Sequence, residues 1–260
     1  VAGILRGVPD PALVAERDEP FTVLAFGAHP DDLDFGAAGT LAAWAAGGAD
    51  VHYAVMTDGD AGGFDPAHRG EIVAMRRDEQ RAAASRVGVR EVHFLGYRDG
   101  FLEPSHEVQR DVVRLIRLVR PDVVLAMHPE RNWKSLQMSH PDHLACGEAV
   151  TRGIYPAAEN PYAFPELEEA GLASYRVPWL WLYGAPEERV NHAVDITAQV
   201  EAKLEAIRVH LSQHPDIAAT ERYVRARLEA TAASAGMAPG ASAEAFHVVA
   251  VNAPETIAGF

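Results

Sequence analysis

Two short segments carry residue types that bind metals and move protons: His29-Pro-Asp-Asp32 and His140-Pro-Asp-His143. They are near-copies. Proline is compatible with the first helical position, where its missing N–H would have no partner, and residues three apart share a helix face. His29 and Asp32 can therefore converge, as can His140 and His143. Two imidazoles and one carboxylate around an open position describe a catalytic zinc site, with ligand distances of about 2.0–2.2 Å. Such an ion lowers the pKa of bound water from ~15.7 to about 7. Either segment alone could simply open a helix, with its acidic residues favoured there by the helix dipole. What argues against that reading is where both fall in the fold.

Phe21 to Gly27 is a short apolar run ending in glycine, the mark of a buried strand. Ala37 to Ala46 reads as a helix of small residues stopped by Gly47-Gly48. Val51 to Thr57 is a second strand, and Gly70 to Val87 a helix with Ile72, Met75, Ala82 and Val87 as inward candidates. Glu91 to Leu95 is a third strand, Val108 to Val119 a helix, and Asp122 to Met127 a fourth strand. Strands alternating with helices of about 10–18 residues predict an α/β fold, Rossmann-like, with a mainly parallel sheet flanked by helices. Beyond residue 150 the rhythm breaks. Ile154 to Val177 is rich in Pro, Glu and aromatics and reads as a surface excursion. Trp179 to Tyr183 and Val190 to Ile196 are two further strands, Ile196 to Leu211 and Pro215 to Ala235 are helical, and Phe246 to Val251 is a last strand. Residues 1–20 read as an N-terminal arm and residues 21–260 as a single domain.

In an open α/β sheet, ligands bind outside the carboxyl ends of the strands. Four successive strand ends deliver His or Asp to that rim: His29 to Asp32, then Asp58 and Asp60, then Asp99, and finally His128 followed by His140 to His143. The first turn lacks G-x-G-x-x-G and carries aspartates that would repel a pyrophosphate. There is no G-x-x-x-x-G-K-[ST] loop and no G-x-S-x-G elbow. Asp58 and Asp60 read as turn formers. His52, His93, His192 and His247 read as packing or surface residues in or beside strands, and His68, His106 and His214 as loop histidines. His128 is left without a role.

The 260 residues carry a net charge of −14, which argues against the basic face that nucleic acids or anionic membranes require. One cysteine, Cys146, excludes a disulfide framework and a multi-cysteine zinc site, so any metal is held by His and carboxylates. No stretch approaches the ~18–20 apolar residues of a membrane span, and no signal-peptide core is visible near the start. The expected compartment is the cytoplasm.

The sequence resembles the zinc-dependent LmbE-like (PIG-L) N-deacetylases. The carrying motifs are Ala28-His-Pro-Asp-Asp-Leu-Asp-Phe-Gly36 with Gly39-Thr40, and His140-Pro-Asp-His143. Supporting matches are Arg76 to Glu79 with Ala82 to Ala84 and Val87-Gly88, Asp195-Ile-Thr197 with Lys203, and His210 to Gln213. The resemblance implies an LmbE-like deacetylase fold and a Zn2+ cofactor held by His29, Asp32 and His143. It implies Asp31 as the general base toward water, and His140 as the cationic or hydrogen-bonding partner of the tetrahedral oxyanion. Arg76 would contact substrate hydroxyls or a carboxylate, Asp99 a sugar hydroxyl, and Asp142 would orient a ligand. Where the thiol-precursor branch has Tyr before H-P-D-H, this chain has Met138-Ser139. Arg131 to Met138 and Ile154 to Val177 are the expected substrate rim.

The implied function is hydrolytic removal of an N-acetyl group from a small amino-sugar compound, with no nucleic-acid partner. The alternatives are an amidase of a larger thiol conjugate or antibiotic sugar, and a non-catalytic metal- or sugar-binding module. A binding module has no need of Asp31, and its signature would be zinc binding without amidase activity. A homo-oligomer is left open, with the aromatic strand after residue 178 and the helix ending near Gln213 as candidate contacts.

Overall fold

The computed structural model describes residues 21–63, 67, 69–134, 136 and 139–252. The expected arm 1–20, His68 and Met138 lie outside the described residues. The elements in chain order are β1 (Thr22–Gly27), α1 (Asp32–Gly36), α2 (Ala38–Ala46), β2 (Asp50–Thr57), α3 (Ile72–Val87), β3 (Glu91–Tyr97), α4 (His106–Val119) and β4 (Val123–Met127). They continue with α5 (Pro141–Arg152), α6 (Pro165–Glu169), β5 (Trp179–Tyr183), β6 (His192–Asp195), α7 (Val200–Arg208), α8 (Ile217–Ser234) and β7 (Ala243–Ala250).

Among the described residues one seven-stranded sheet runs in the order β3-β2-β1-β4-β5-β7-β6. β3, β2, β1, β4 and β5 pair parallel with their neighbours, and β7 runs antiparallel to both β5 and β6. β1, β2 and β4 are almost wholly buried, as strands covered by helices on both faces must be. α2, α3 and α7 pack together, and so do α4 and α5. The strand order reverses between β1 and β4, which is where such sheets open a crevice for ligands. The two H-P-D segments follow these two strands.

Local chemistry sets how each segment leaves its strand. After β1 the chain turns through Asp31, whose φ of 101° is a positive value that asparagine and aspartate tolerate better than most residues. After β4, Pro141 occupies the first turn of α5, and the His140 ring caps that helix by accepting the Asp142 N–H through Nδ1 at 3.3 Å. Gly147 lets α5 lie directly on β4, because a Cβ there would run into the Met127 carbonyl.

The excursion after α5 is not part of the catalytic rim. It lies at the opposite end of the sheet, where β4 and β5 begin. Tyr175 donates its hydroxyl to the Pro121 carbonyl, and its amide donates to Ala158 O. The Arg117 side chain, buried at the end of α4, donates to the carbonyls of Ala157, Ala158, Asn160 and Ala163. An arginine buried among carbonyls replaces the water that these loop backbones would otherwise need. No helix among the described residues is long and apolar enough to cross a membrane.

Candidate metal-dependent active site

His29, Asp32 and His143 meet where β1 and β4 end. The two oxygens of Asp32 lie between the two histidines, Oδ2 at 3.4 Å from His29 Nδ1 and Oδ1 at 3.1 Å from His143 Nε2. Two ligand atoms on a tetrahedral ion with bonds of 2.0–2.2 Å are about 3.3–3.6 Å apart. Each histidine therefore stands from one Asp32 oxygen at about the separation of two ligand atoms on a shared ion, the two contacts using different oxygens. His140 belongs to the same group, with one ring nitrogen from each of His29, His140 and His143 within 4.8 Å of the others. Asp32 Oδ2 also accepts the His29 N–H at 2.7 Å, which fixes its carboxylate against the turn.

The far side of the His29 ring is held by two more carboxylates. Nε2 lies 3.2 Å from Asp142 Oδ2 and 3.1 Å from Asp99 Oδ1. Asp142 is fully buried and also accepts the Gly100 and Leu102 N–H groups at 2.6 and 3.2 Å. This pair of acceptors fixes a proton on Nε2 and leaves Nδ1, which faces Asp32, as the nitrogen a metal ion would take in place of its proton, the usual outer support of a metal-bound histidine. Burial alone would lower the basicity of His29, yet Asp142, Asp32 and Asp99 outweigh it and push its pKa up to about 12. Burial works against the charge on Asp32, and the neighbouring His143 and His29 hold it well below its ordinary range. The field here strongly favours positive charge, the condition a divalent cation meets. For His140 burial comes first, and with His29 and His143 it lowers the pKa. With Nδ1 accepting the Asp142 amide, the neutral ring carries its proton on Nε2 and is a donor.

Asp31 sits beside the cluster, not in it. Its N–H donates to Gln80 Oε1 at 2.8 Å, and the Gln80 amide donates to Asp34 Oδ2 at 2.9 Å. Asp34 Oδ2 also meets His210 Nε2 at 2.8 Å. The Asp31 carboxylate lies 3.6 Å from Arg76 Nη2 and 3.4 Å from His214 Nε2. Arg76 is buried, and its guanidinium donates to Pro30 O at 2.7 Å and Gly59 O at 3.1 Å. Gly59, at φ 63°, has no room for a side chain because that space belongs to Arg76. Arg76 thus braces the H-P-D turn through Pro30 while standing 3.9 Å from Asp99, and its buried Nε has no hydrogen-bond partner among the described residues. Asp99 has one carboxylate oxygen, Oδ1, at His29, and its own N–H donates to Asp60 Oδ1 at 2.8 Å.

Deeper still, Lys203 is buried and donates to the carbonyls of Asp34 and Phe35 at 2.9 and 2.6 Å and to Glu244 Oε1 at 2.7 Å. Glu244 accepts the N–H groups of Gly39 and Thr40 at 3.0 and 2.8 Å. Two residues escaped the sequence reading. Gln80 had no signal, being one polar residue on a charged helix. His214 had one: His214-Pro-Asp216 repeats the H-P-D pattern and opens α8, with Asp216 accepting the Ala219 N–H at 2.9 Å.

Comparison with known proteins places the chain among deacetylases. Residues 24–154 match the family described as PIG-L, GlcNAc-PI de-N-acetylase. The chain is 33% identical to a diacetylchitobiose deacetylase of Thermococcus kodakarensis over 214 residues, 79% of this chain and 78% of that one. It is 29% identical over 267 residues to the 1D-myo-inositol 2-acetamido-2-deoxy-alpha-D-glucopyranoside deacetylase of Kineococcus radiotolerans, 78% of this chain and 73% of that one. Among solved structures it is similar to the N,N'-diacetylchitobiose deacetylase of Pyrococcus horikoshii in complex with its inhibitor MPG. That match has a TM-score of 0.81 and 32% identity and covers 91% and 89% of the two chains.

Proposed function

The chain belongs to the PIG-L family of GlcNAc-PI de-N-acetylases, and from that premise we propose that it is a zinc-dependent hydrolase removing the N-acetyl group of a small amino-sugar compound. His29, Asp32 and His143 would hold the ion. When bound there, zinc supplies a Lewis acid for the acetyl carbonyl and makes water acidic enough to attack near neutral pH.

The protein's own groups do the rest. Asp31, beside the ligand set, takes the proton from water and returns it to the leaving amine; a positioned base of this kind is worth about 10²–10⁴-fold in rate. Arg76 and His214 flank its carboxylate, and Gln80 holds its backbone. His140 directs its Nε2–H at the oxygen on which negative charge develops, a donor worth about 3–4 kcal/mol. Asp142 and Asp99 keep the His29 ring turned and protonated on Nε2. Arg76 braces the first H-P-D turn through Pro30 and, standing beside Asp31 and Asp99, is placed to contact a substrate hydroxyl or carboxylate.

The observation that carries this reading is the spacing of Asp32 Oδ1 and Oδ2 from the two histidines together with the neighbouring carboxylate of Asp31, held by Arg76 and His214 and outside the ligand set. A binding module would need the ligands but not the fourth acid. The test is acetate release from an N-acetylglucosaminyl glycoside by zinc-loaded protein, wild type against Asp31→Asn. The variant should keep one zinc at the ligand set and lose at least a hundredfold in kcat. Unchanged turnover would refute the base, and zinc binding without hydrolysis of any N-acyl sugar would refute the enzyme.

A further inference from the structure

At the other end of the sheet, β2 and β3 bring a second group of metal-ligating side chains together. His52 pairs in register with Glu91, and His93 lies two residues further along β3, so all three share one face of the sheet. His52 Nδ1 is 3.3 Å from His93 Nε2. Glu91 Oε2 lies 3.9 Å from His52 Nδ1, and its Oε1 lies 3.7 Å from His93 Nδ1. One ligand atom from each of the three falls within 4.8 Å of the other two. The outer nitrogen of His52, Nε2, faces Asp50 Oδ1 at 3.5 Å, and Asp50 in turn is paired with Arg90. The two imidazoles are only 11% and 14% exposed, whereas the Glu91 side chain is 59% exposed and free to swing.

Carboxylates beside the outer nitrogens favour N–H groups there, Asp50 on His52 Nε2 and Glu91 on His93 Nδ1. The inner nitrogens, His52 Nδ1 and His93 Nε2, face each other within hydrogen-bond reach in a shielded place. Such a gap calls for an electrophile, either one shared proton or a metal ion. The 3.3 Å gap matches the separation of two nitrogens on a tetrahedral ion with bonds of about 2.0–2.1 Å, and the nearly parallel rings need only tilt to aim both nitrogens at it.

We propose that His52, His93 and Glu91 form a second metal site, for Zn2+ or a similar borderline ion such as Cu2+ or Ni2+, that fastens the edge strand β3 to β2. Imidazole donors select such ions over Mg2+ or Ca2+, which require oxygen cages. His52 Nδ1 and His93 Nε2 supply two ligands, the exposed Glu91 carboxylate swings in as the third, and Asp50 holds the His52 ring as an outer partner. The site is independent of the catalytic assignment.

The experiment titrates chelator-stripped full chain with Zn2+ against a chromophoric competitor and counts equivalents. Wild type should bind two. The His52→Gln/His93→Gln protein should bind one and, zinc-restored, hydrolyse substrate within twofold of wild type. The Asp32→Asn/His143→Gln protein should lose activity and still bind one, so that failure at either site is read separately. Asp50→Asn and Glu91→Gln, at partly exposed positions, should weaken the second equivalent about 10–100-fold and leave the first unchanged. Should wild type bind a single equivalent that vanishes in Asp32→Asn/His143→Gln, the histidine pair shares only a proton and the proposal is overturned. Retention of two equivalents by His52→Gln/His93→Gln would overturn it equally.

Discussion

Replacing Gln80 by Ala isolates the backbone conformation of Asp31 from its chemistry. Gln80 is fully buried, and it accepts the Asp31 N–H at 2.8 Å while donating to Asp34 at 2.9 Å. In the variant, Asp34 Oδ2 keeps His210 at 2.8 Å, but the Asp31 N–H is orphaned. An unsatisfied buried donor costs about 1–3 kcal/mol. The vacated side-chain volume adds about 1 kcal/mol more, so the loss should be about 2–4 kcal/mol, or roughly 4–16 °C in Tm for a domain of this size. The effect on rate is separate. Asp31 is held at φ 101°, a conformation costing a non-glycine residue about 1 kcal/mol, and it relaxes when the clamp goes. A displacement near 1 Å at a reacting group costs about 10²-fold. The expected kcat is therefore 10- to 100-fold below wild type, measured as free amine released by zinc-loaded protein below its Tm. Zinc content should not change, because Gln80 touches no ligand. Gln80→Glu keeps an acceptor for the Asp31 amide and should recover much of the rate while placing a second carboxylate against Asp34. A Gln80→Ala protein that loses stability yet keeps kcat within twofold would show that Asp31 needs no clamp.

Three further outcomes follow from the same contacts. Asp142→Asn puts an amide N–H against the donors of His29, Gly100 or Leu102 and should weaken zinc binding about 10–100-fold, read by competition with a chelator. Lys203→Met leaves Glu244 buried without its cation and should cost about 3–5 kcal/mol in denaturant unfolding, the range for breaking one side of a buried pair. His128 is held at about 4 by burial and by its neighbour His247, so the folded protein resists a proton that the unfolded chain takes up near 6.5. Its contribution is intact above that value and is lost as the pH falls from 6.5 toward 4, up to about 3 kcal/mol. The fall in Tm over that window should be smaller in His128→Asn.

The regular elements were legible because the strands are runs of apolar residues closed by Gly or Asp, and the site was legible because H-P-D turns stand at two strand ends. What was hidden was polar and buried. The inward face of α3 runs Ile72, Arg76, Gln80, Ala83 and Val87, with Ala82 outside. A search for apolar periodicity mistakes its phase, because two core positions hold Arg and Gln in service of the Asp31 turn. The segment after Gly153 was expected at the substrate rim from its aromatics and acids. Arg117, unremarkable in sequence, ties it to the other end of the sheet by hydrogen bonds to carbonyls. Asp99 and Asp142 were visible as acids, but only the folded chain shows that both address one nitrogen of His29.

The buried Lys203–Glu244 pair has an evolutionary corollary. All three proposed zinc ligands lie within residues 24–154, so that stretch looks like a transferable cassette. Yet the peptide carbonyls just after its first H-P-D turn are capped by an ammonium from residue 203, and that ammonium is neutralised by an acid at the start of the last strand. Recombination that grafted the first half onto a foreign second half would import every ligand and none of the counter-charge. Inheritance of the catalytic turn should therefore be all-or-nothing with respect to the carboxyl-terminal third.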